Sequence, residues 1–519
     1  MADIAKGVRS FTFGTAISRV MGLLREMVFA SLFGASHSTD AFNAAFRIPN
    51  LLRDLFAETA LSAAFVPVLT SQKQKGKEAE NLLASNIFNT LLIVVGLLAA
   101  AGVIFSAELA KVIAFGFGST PGKLALTGKL TAITFPFLLF VALAAWAMSY
   151  LNTEGSFFIP SLAPAFFNVF SILIPLGFFG YYTARGGDPI FGAAIGVTVG
   201  GFMQFVIQVP RLFRKGFRYR PTLNFRDPDF RKVMALFIPV AIGLAGSRIN
   251  VAINTVLVSF LEKGSISWLN YAFRIMHLPL GLFGIAVGTV ALPAFSRFVI
   301  DNNLSEIRRT LVDSLKMVFF LTVPTSVVIA CLSFPITRLI YQRGHFGASD
   351  TSATAGALIL YILGVPFIAA LRNVAAVFYA YQDARKPMYA SFVSIGLNVV
   401  LNITLVRPLG FLAFPLSTTI SAVVNIAILY AILPRKIGAI DGRALFRFFG
   451  LLAVGSAAGG AVGWLLNNIL QARFGVSLIP TVISVVVCGA IALFVFYGVC
   501  ILLGASEAKD YLRRFTRQK

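Results

Sequence analysis

The sequence predicts an all-α protein that crosses a membrane many times, and three observations predict this class. The chain of 519 residues is 57% hydrophobic and has a mean hydropathy of +0.83. Only 13% of its residues are charged, against about 25% in soluble domains. Apolar runs recur from end to end, and residues 91–107 and 481–503 match the ~20 residues needed to cross a bilayer core of ~30 Å. No alternating pattern appears, which argues against a β-barrel.

The apolar runs divide into about fourteen predicted transmembrane helices. Their predicted positions are 10–34, 40–71, 83–109, 124–151, 157–180, 189–212, 233–262, 267–298, 310–336, 353–381, 387–406, 411–433, 446–468 and 479–503. Pro49 lies near the middle of the second helix and is expected to break it there.

The distribution of basic residues predicts the orientation. The net charge of +23 would indicate nucleic-acid binding in a soluble protein, but in a membrane protein Lys and Arg mark the cytoplasmic loops. If both termini are cytoplasmic, roughly 28 of the 44 Lys and Arg lie on the cytoplasmic side and about nine on the other. The densest group of these is in residues 211–232. We therefore expect an even number of spans, with both termini in the cytoplasm.

An internal repeat predicts two lobes. The tetrapeptide at 45–48 recurs at 272–275, and three further matches and one near match share its offset of about 226 to 230 residues. This offset covers six spans, so the repeats have the same orientation and form pseudo-symmetric six-helix lobes with the substrate site at their interface. The predicted division is an N-terminal lobe at 1–215, a C-terminal lobe at 216–436, and two additional helices with a cytoplasmic tail at 437–519.

Seven arginines remain inside the predicted spans after the loop charges are assigned. Each costs about 2.5–3.5 kcal/mol at a span centre, so we expect them to face the bundle interior or water. They are Arg19, Arg25, Arg47, Arg53, Arg248, Arg274 and Arg372. An excess of arginine predicts a site for phosphate or carboxylate, which the planar guanidinium binds through two hydrogen bonds. The alternative is that Glu26, Asp40, Asp54 and Glu58 neutralise the arginines of the first half.

Signals for other chemistry are weak. The three cysteines and three histidines are scattered, so we expect no disulfide, metal cluster or cofactor. No phosphate-binding loop or catalytic constellation is present, which predicts a transporter without covalent chemistry. Four neutral polar residues in apolar spans are weak candidates for a Na⁺ site, and interhelical hydrogen bonding is the more ordinary interpretation. They are Asn254, Asn398, Asn402 and Thr418.

The segments that carry these arginines resemble the MurJ (MviN) family. The matching stretches are SRVMGLLRE at 18–26, TDAF at 39–42, RIPNLLR at 47–53, AFVP at 64–67, residues 271–279 and residues 378–387. The resemblance implies a lipid II flippase of the multidrug/oligosaccharidyl-lipid/polysaccharide exporter superfamily. It implies two six-helix lobes around a central cavity, with the last two helices forming a groove for the polyprenyl tail.

The resemblance also implies particular site residues. Substrate-binding positions carried over from the family are Arg19, Arg25, Arg53, Arg274, Ser18, Asp40 and Asn168. Secondary candidates are Glu26, Arg47, Glu58 and His277. Many relatives have acids beside the eighth-span arginine, where this chain has Phe273 and His277, and some use aspartates for sodium where this chain has asparagines. Sodium coupling is therefore not expected to be strong.

The expected partners are lipid II, membrane lipids and the cell-wall synthesis machinery, but not nucleic acid. The expected location is the bacterial cytoplasmic membrane. Three functional alternatives stay open: an exporter of another lipid-linked oligosaccharide, a drug exporter of the same superfamily, and a scaffold without transport activity. A drug exporter would favour acids in its cavity because its substrates are cationic, and a scaffold needs no buried arginine.

Overall fold

The computed structural model describes residues 2–53, 60–281, 294–439 and 442–503, except for the side chains of 2–11, 60, 242–249 and 444. Across these ranges the chain is helical and contains no strand. Several predictions lie outside the described residues: Asp54 and Glu58, the side chain of Arg248, and the C-terminal tail.

The helices follow one another with short connections. In chain order they are α1 (Ala2–Phe33), α2 (His37–Arg53), α3 (Ala60–Lys75), α4 (Lys77–Ile104), α5 (Ser106–Ile113), α6 (Lys123–Thr134), α7 (Phe137–Thr153), α8 (Phe158–Ala184), α9 (Ile190–Val206), α10 (Val209–Arg214), α11 (Pro228–Val258), α12 (Ser265–Pro279), α13 (Leu304–Cys331), α14 (Ser333–Tyr341), α15 (Ala348–Ile362), α16 (Val365–Ala380), α17 (Arg385–Leu409), α18 (Ala413–Ile432), α19 (Pro434–Ile437), α20 (Gly442–Phe474) and α21 (Leu478–Leu502). Short 3₁₀ turns occupy Phe115–Ser119 and Gly410–Leu412.

The prediction of a polytopic helical membrane protein is confirmed. Within the described ranges, nine helical stretches are long and apolar enough to cross a membrane. Some predicted spans consist of two helices in sequence. The span at 124–151 is α6 followed by α7, with Pro136 at the junction, and the span at 353–381 is α15 followed by α16, with Pro366 in the first turn of α16. Each junction lies at a proline, because proline lacks the backbone N–H that would continue the preceding helix.

The expected break at Pro49 is wrong. Helix α2 continues through Pro49 as far as Arg53, and Pro49 is buried within it. A proline removes one backbone hydrogen bond, but helices in membranes tolerate this where neighbouring groups supply other contacts. The polar residues of α2 up to Arg53 therefore lie on one continuous helix.

The first compact unit comprises Met1–Ser267 together with Arg343–Phe346. Its core is aromatic: Phe65, Phe137, Trp146 and Tyr150 are almost fully buried. The Trp146 indole N–H donates to the Ala84 carbonyl at 3.0 Å, so this large side chain is buried without an unsatisfied donor. Helix α11 packs against α3 inside this unit.

The second compact unit comprises Trp268–Gln342 and Gly347–Lys519. Phe320, Phe378, Phe414 and Phe496 fill its core. Helices α20 and α21 pack closely together, and α13 packs against α20. These units are defined by contacts, whereas the predicted lobes were defined by the repeat, so the lobe boundaries stay a prediction.

Candidate functional site

Arg25 lies in a pair with its neighbour on α1. Its guanidinium contacts the Glu26 carboxylate, with Nη2 at 2.6 Å and Nε at 3.1 Å from Oε1. Both side chains are largely buried, at 16% and 11% exposed. The Arg25 guanidinium also lies over the Phe167 ring of α8 at 5.1 Å, which adds a cation–π contact. One of the arginines is thus paired with one of the acids that the sequence offered as a neutralising partner.

The α1–α8 contact holds two further predicted site residues. Asn168 of α8 is buried and donates from Nδ2 to the Ser18 carbonyl at 3.2 Å, while Ser18 itself is half-buried. A Cβ added at Gly22 would lie 3.5 Å from the same Asn168 amide, and one at Gly14 would lie within 2.1 Å of the Ser161 hydroxyl. Small residues therefore bring α1 against α8, and this close packing positions Ser18 and Asn168 together.

Asp40, near the start of α2, is buried and accepts four hydrogen bonds. It is 1% exposed and accepts from the Gly264 amide at 2.7 Å, the Ser267 amide at 3.1 Å and the Ser267 hydroxyl at 2.7 Å. The Lys123 ammonium donates to it at 3.3 Å. Both carboxylate oxygens therefore accept hydrogen bonds from protein donors, one of which is a charged ammonium. Asp40 thus joins α2 to the start of α6 and to the α11–α12 connection, and its contact with a substrate stays a prediction.

The remaining arginines of α1 and α2 differ in exposure. Arg19 is exposed on α1, whereas Arg47 and Arg53 on α2 are half-buried. Asn43 on α2 donates to the Ser267 hydroxyl at 3.3 Å and extends the Asp40 network by one turn. Because α2 is continuous, Asp40, Asn43 and Arg47 follow helical spacing along it.

In the second unit, His277 of α12 interacts with two arginines through their charge. Arg274 on the same helix and Arg372 on α16 are both exposed, and both interact electrostatically with the His277 ring. His277 Nδ1 lies 2.9 Å from the Phe273 carbonyl, and its ring lies 4.1 Å from the Phe273 ring. Arg372, one of the seven arginines in the predicted spans, therefore interacts with the same histidine as the predicted site residue Arg274.

The neutral residues considered for sodium include one hydrogen-bonded pair. Asn398 and Asn402 are buried one turn apart on α17, and Asn402 donates to Asn398 at 3.2 Å. Thr418 on α18 donates to the Phe414 carbonyl at 2.8 Å, and Asn254 belongs to the other unit. No group of three or more His, Cys, Asp or Glu suited to a metal ion occurs among the residues that the structure describes.

Sequence reasoning missed three residues that shape the first unit's polar sites: Lys123, Phe167 and Ser267. Lys123 directly precedes the predicted span at 124–151, yet its side chain is only 5% exposed, and its ammonium pairs with Asp40 and lies 3.8 Å from the centre of the Phe117 ring. Ser267 lies 227 positions from Asp40. Nothing in the local sequence links such distant residues, so only the fold could bring them together.

Comparison with known proteins identifies the family. A sequence model described as "Lipid II flippase MurJ" matches residues 29–485. The chain belongs to the MurJ lipid II flippase family. It is 37% identical to a probable lipid II flippase MurJ of Vibrio cholerae serotype O1 over 425 residues, which covers 80% of each chain. It is 31% identical to the lipid II flippase MurJ of Burkholderia cenocepacia over 507 residues, which covers 96% of this chain and 97% of the relative.

Solved structures agree with the MurJ assignment. A lipid II flippase MurJ in an inward closed conformation superposes with a TM-score of 0.74 at 28% identity, covering 95% of this chain and 99% of that one. An inward-facing multidrug resistance MATE transporter of the MOP superfamily superposes with a TM-score of 0.67 at 13% identity, covering 83% of this chain and 96% of that one. At this identity the match shows a shared fold alone. The chain is therefore a multi-pass bacterial membrane protein of a transporter family.

Proposed function

We propose that this chain is a lipid II flippase that moves the undecaprenyl-pyrophosphate-linked peptidoglycan precursor from the inner to the outer leaflet of the bacterial cytoplasmic membrane. The observation that carries the proposal is the family match over residues 29–485, since it covers most of the chain. Relatives named as lipid II flippases align over 80% or more of this chain in both comparisons quoted above. Both termini would lie in the cytoplasm, in accordance with the distribution of basic residues.

The chemistry of the substrate fits the arginines of the spans. A pyrophosphate carries several negative oxygens, and a guanidinium binds two of them at once in a planar arrangement. The residues that we propose to contact it during the cycle are Arg19, Arg25, Arg53 and Arg274, with Ser18, Asp40 and Asn168 near them as further polar groups. Arg19 and Arg274 are exposed in the structure, so their side chains are accessible.

Translocation would proceed by alternating access, without a covalent step. The headgroup would enter from the cytoplasmic side, bind the arginines, and be released on the outer side after the lobes rock. The undecaprenyl tail would stay in lipid along α20 and α21, where large apolar side chains are exposed. These include Val454, Trp464, Ile469 and Phe494.

Arg25 needs a specific experimental design because of its partner. Removing Arg25 alone takes a positive charge from a point 2.6 Å from the largely buried Glu26 carboxylate, which destabilises the protein whatever Arg25 does for the substrate. The double variant Arg25→Ala/Glu26→Gln removes both charges together. It therefore separates the loss of a substrate contact from the loss of an ion pair.

The test is complementation of a bacterium depleted of its own flippase. We expect the wild-type chain to restore growth, and Arg25→Ala/Glu26→Gln and Arg274→Ala to fail while reaching wild-type abundance in the membrane. Arg473→Ala, which removes an exposed arginine at the end of α20, is the matched control and should restore growth. Arg25→Lys and Arg274→Lys should rescue poorly if two parallel hydrogen bonds matter.

Three results would count against the proposal. Failure of the wild-type chain, although inserted, would contradict the flippase assignment. Full growth with Arg25→Ala/Glu26→Gln and with Arg274→Ala would show that these arginines are not needed for the substrate. Growth with Arg25→Lys and Arg274→Lys equal to that with the wild-type chain would show that the positive charge is sufficient. The two parallel hydrogen bonds of a guanidinium would then not be required.

A further inference from the structure

A basic segment, defined here as residues 213–226, comprises the last two residues of α10 and most of its connection to α11. This segment holds five basic residues and no acid. The Lys215 ammonium donates to the Glu154 carbonyl at 2.9 Å, and Arg220 pairs with Glu78 at 3.3 Å. The other three basic side chains are exposed and form no ion pair with any residue that the structure describes. They are Arg214, Arg218 and Arg226.

The basic segment is not helical from residue 217 onwards, yet side chains of α4 and its own aromatic residues hold it in place. Asn86 makes a pair of hydrogen bonds with the backbone of Asn224, both at 2.9 Å. Further hydrogen bonds join Asn81 to the Gly216 carbonyl, Ser85 to the Arg220 amide, Asn89 to the Thr222 carbonyl and Asn89 to the Tyr219 hydroxyl. Buried Phe217 packs against Trp146 and Tyr150. The segment therefore presents its outward side chains from a fixed backbone.

The contacts place the basic segment at a membrane boundary. Helix α4 has 28 residues and is about 42 Å long, whereas a hydrocarbon core of ~30 Å needs about 20 residues. The segment contacts α4 between Asn81 and Asn89, which lies in the first ~18 Å of the helix. Exposed apolar side chains continue along α4 from Leu92 onwards. The segment thus lies beside the point where α4 leaves the polar headgroup region.

The outward surface of the basic segment combines arginines with large apolar groups. Four large apolar side chains of the segment are 45–59% exposed: Phe213, Tyr219, Leu223 and Phe225. Tyrosine favours the headgroup level of a bilayer because its ring is amphipathic, and Phe and Leu insert at the boundary between headgroups and acyl chains. Arginine binds phosphate through charge-assisted hydrogen bonds. Together they match the phosphates and glycerol region of an anionic leaflet.

We propose that the basic segment is a binding surface for anionic phospholipid headgroups of the adjacent leaflet, with Arg214, Arg218 and Arg226 as the phosphate contacts. The aromatic and leucine side chains insert between the headgroups and keep the arginines at phosphate level. This surface is separate from the transport site, so the proposal does not depend on the transported substrate.

The test places a fluorescent reporter on the basic segment. Leu223 is changed to cysteine and labelled in a background with Cys331, Cys488 and Cys500 replaced by alanine, and the full chain is reconstituted in vesicles. Brominated phosphatidylglycerol or brominated phosphatidylcholine is included at equal mole fraction as the quencher. We expect stronger quenching by phosphatidylglycerol, and we expect R214Q/R218Q/R226Q to lose this preference, at roughly fivefold per arginine.

The matched control is R185Q/R407Q/R473Q, which removes the same charge from three exposed arginines outside the basic segment. It should retain the preference for phosphatidylglycerol. Equal quenching by both lipids in the labelled protein with all its arginines would overturn the proposal. So would a loss of the phosphatidylglycerol preference in the control variant as large as in R214Q/R218Q/R226Q. So would quenching by neither lipid, which would indicate a protein or water at this surface. Loss of the preference on adding millimolar inorganic phosphate would instead indicate a site for the free anion.

Discussion

At the scale of single residues, the acids predicted near the arginines have different partners. Glu26 pairs with Arg25 beside it, but Asp40 pairs with Lys123 and with the connection before α12. The difference arises because a contact between neighbours on a helix is local, whereas the Asp40 partners come from distant parts of the chain. The sequence offered Glu26 and Asp40 as neutralising acids, but it carried no information about which basic residue the fold would bring to each.

The Asp40–Lys123 pair gives a prediction about stability. Asp40→Asn should destabilise the protein by about 3–5 kcal/mol, because it leaves a buried ammonium without its counter-charge. The double variant Asp40→Asn/Lys123→Met should recover part of that loss, since no charge is then left unpaired. Thermal unfolding in detergent measures the stability of both variants, and Asp301→Asn, at an exposed position, is the control. A single variant as stable as the wild type would show that the pair contributes nothing.

At the scale of helices and their connections, a lysine cluster joins the ends of four elements. Lys73 of α3 and Lys77 of α4 contact the Glu154 carboxylate in the α7–α8 connection at 2.9 and 3.1 Å. Lys215, after α10, donates to the Glu154 carbonyl. Burial alone would raise the pKa of Glu154, but the two ammonium groups outweigh it and hold the pKa below its ordinary value.

The lowered pKa of Glu154 predicts a pH dependence. Its stabilisation is complete above the ordinary carboxyl pKa of about 4.3 and is lost as the pH falls through the lower, folded-state value. Glu154→Gln should therefore lower the melting temperature at pH 7 and weaken its decline in acid. Melting curves between pH 7 and pH 3 check this, with Glu108→Gln, an exposed pair with Lys111, for comparison. A variant whose acid decline matches the wild type would refute this role.

The α20–α21 pair depends on small residues. An added Cβ at Gly459 would lie 2.3 Å from the Ala492 carbonyl oxygen, whereas one at Gly450 on the same helix would have no neighbour within 4 Å. Gly459→Val should therefore destabilise the pair by about 1–3 kcal/mol through overpacking, and Gly450→Val should be much milder. Thermal unfolding of the two variants provides the comparison. Equal effects would indicate that close contact at Gly459 is unimportant.

At the scale of the whole molecule, composition and apolar run length predicted a polytopic helical protein, which the structure and its relatives confirm. Hydropathy did not separate helices that meet at Pro136 or within the span at 353–381, because a bend does not interrupt an apolar run. The family resemblance, carried by residues 18–26, 39–42 and 47–53, is confirmed by the match over 29–485. The substrate contacts stay predictions.

The most direct test of the account is the movement of lipid II across a vesicle membrane. The purified chain is reconstituted with labelled lipid II, and the headgroups accessible to an external reagent are followed over time, with and without an imposed potential. We predict that the wild-type chain and Arg407→Ala expose the inner pool, whereas Arg25→Ala/Glu26→Gln and Arg274→Ala do not. Failure of the wild-type chain to move lipid II under either condition, or movement at the wild-type rate by both arginine variants, would contradict the account.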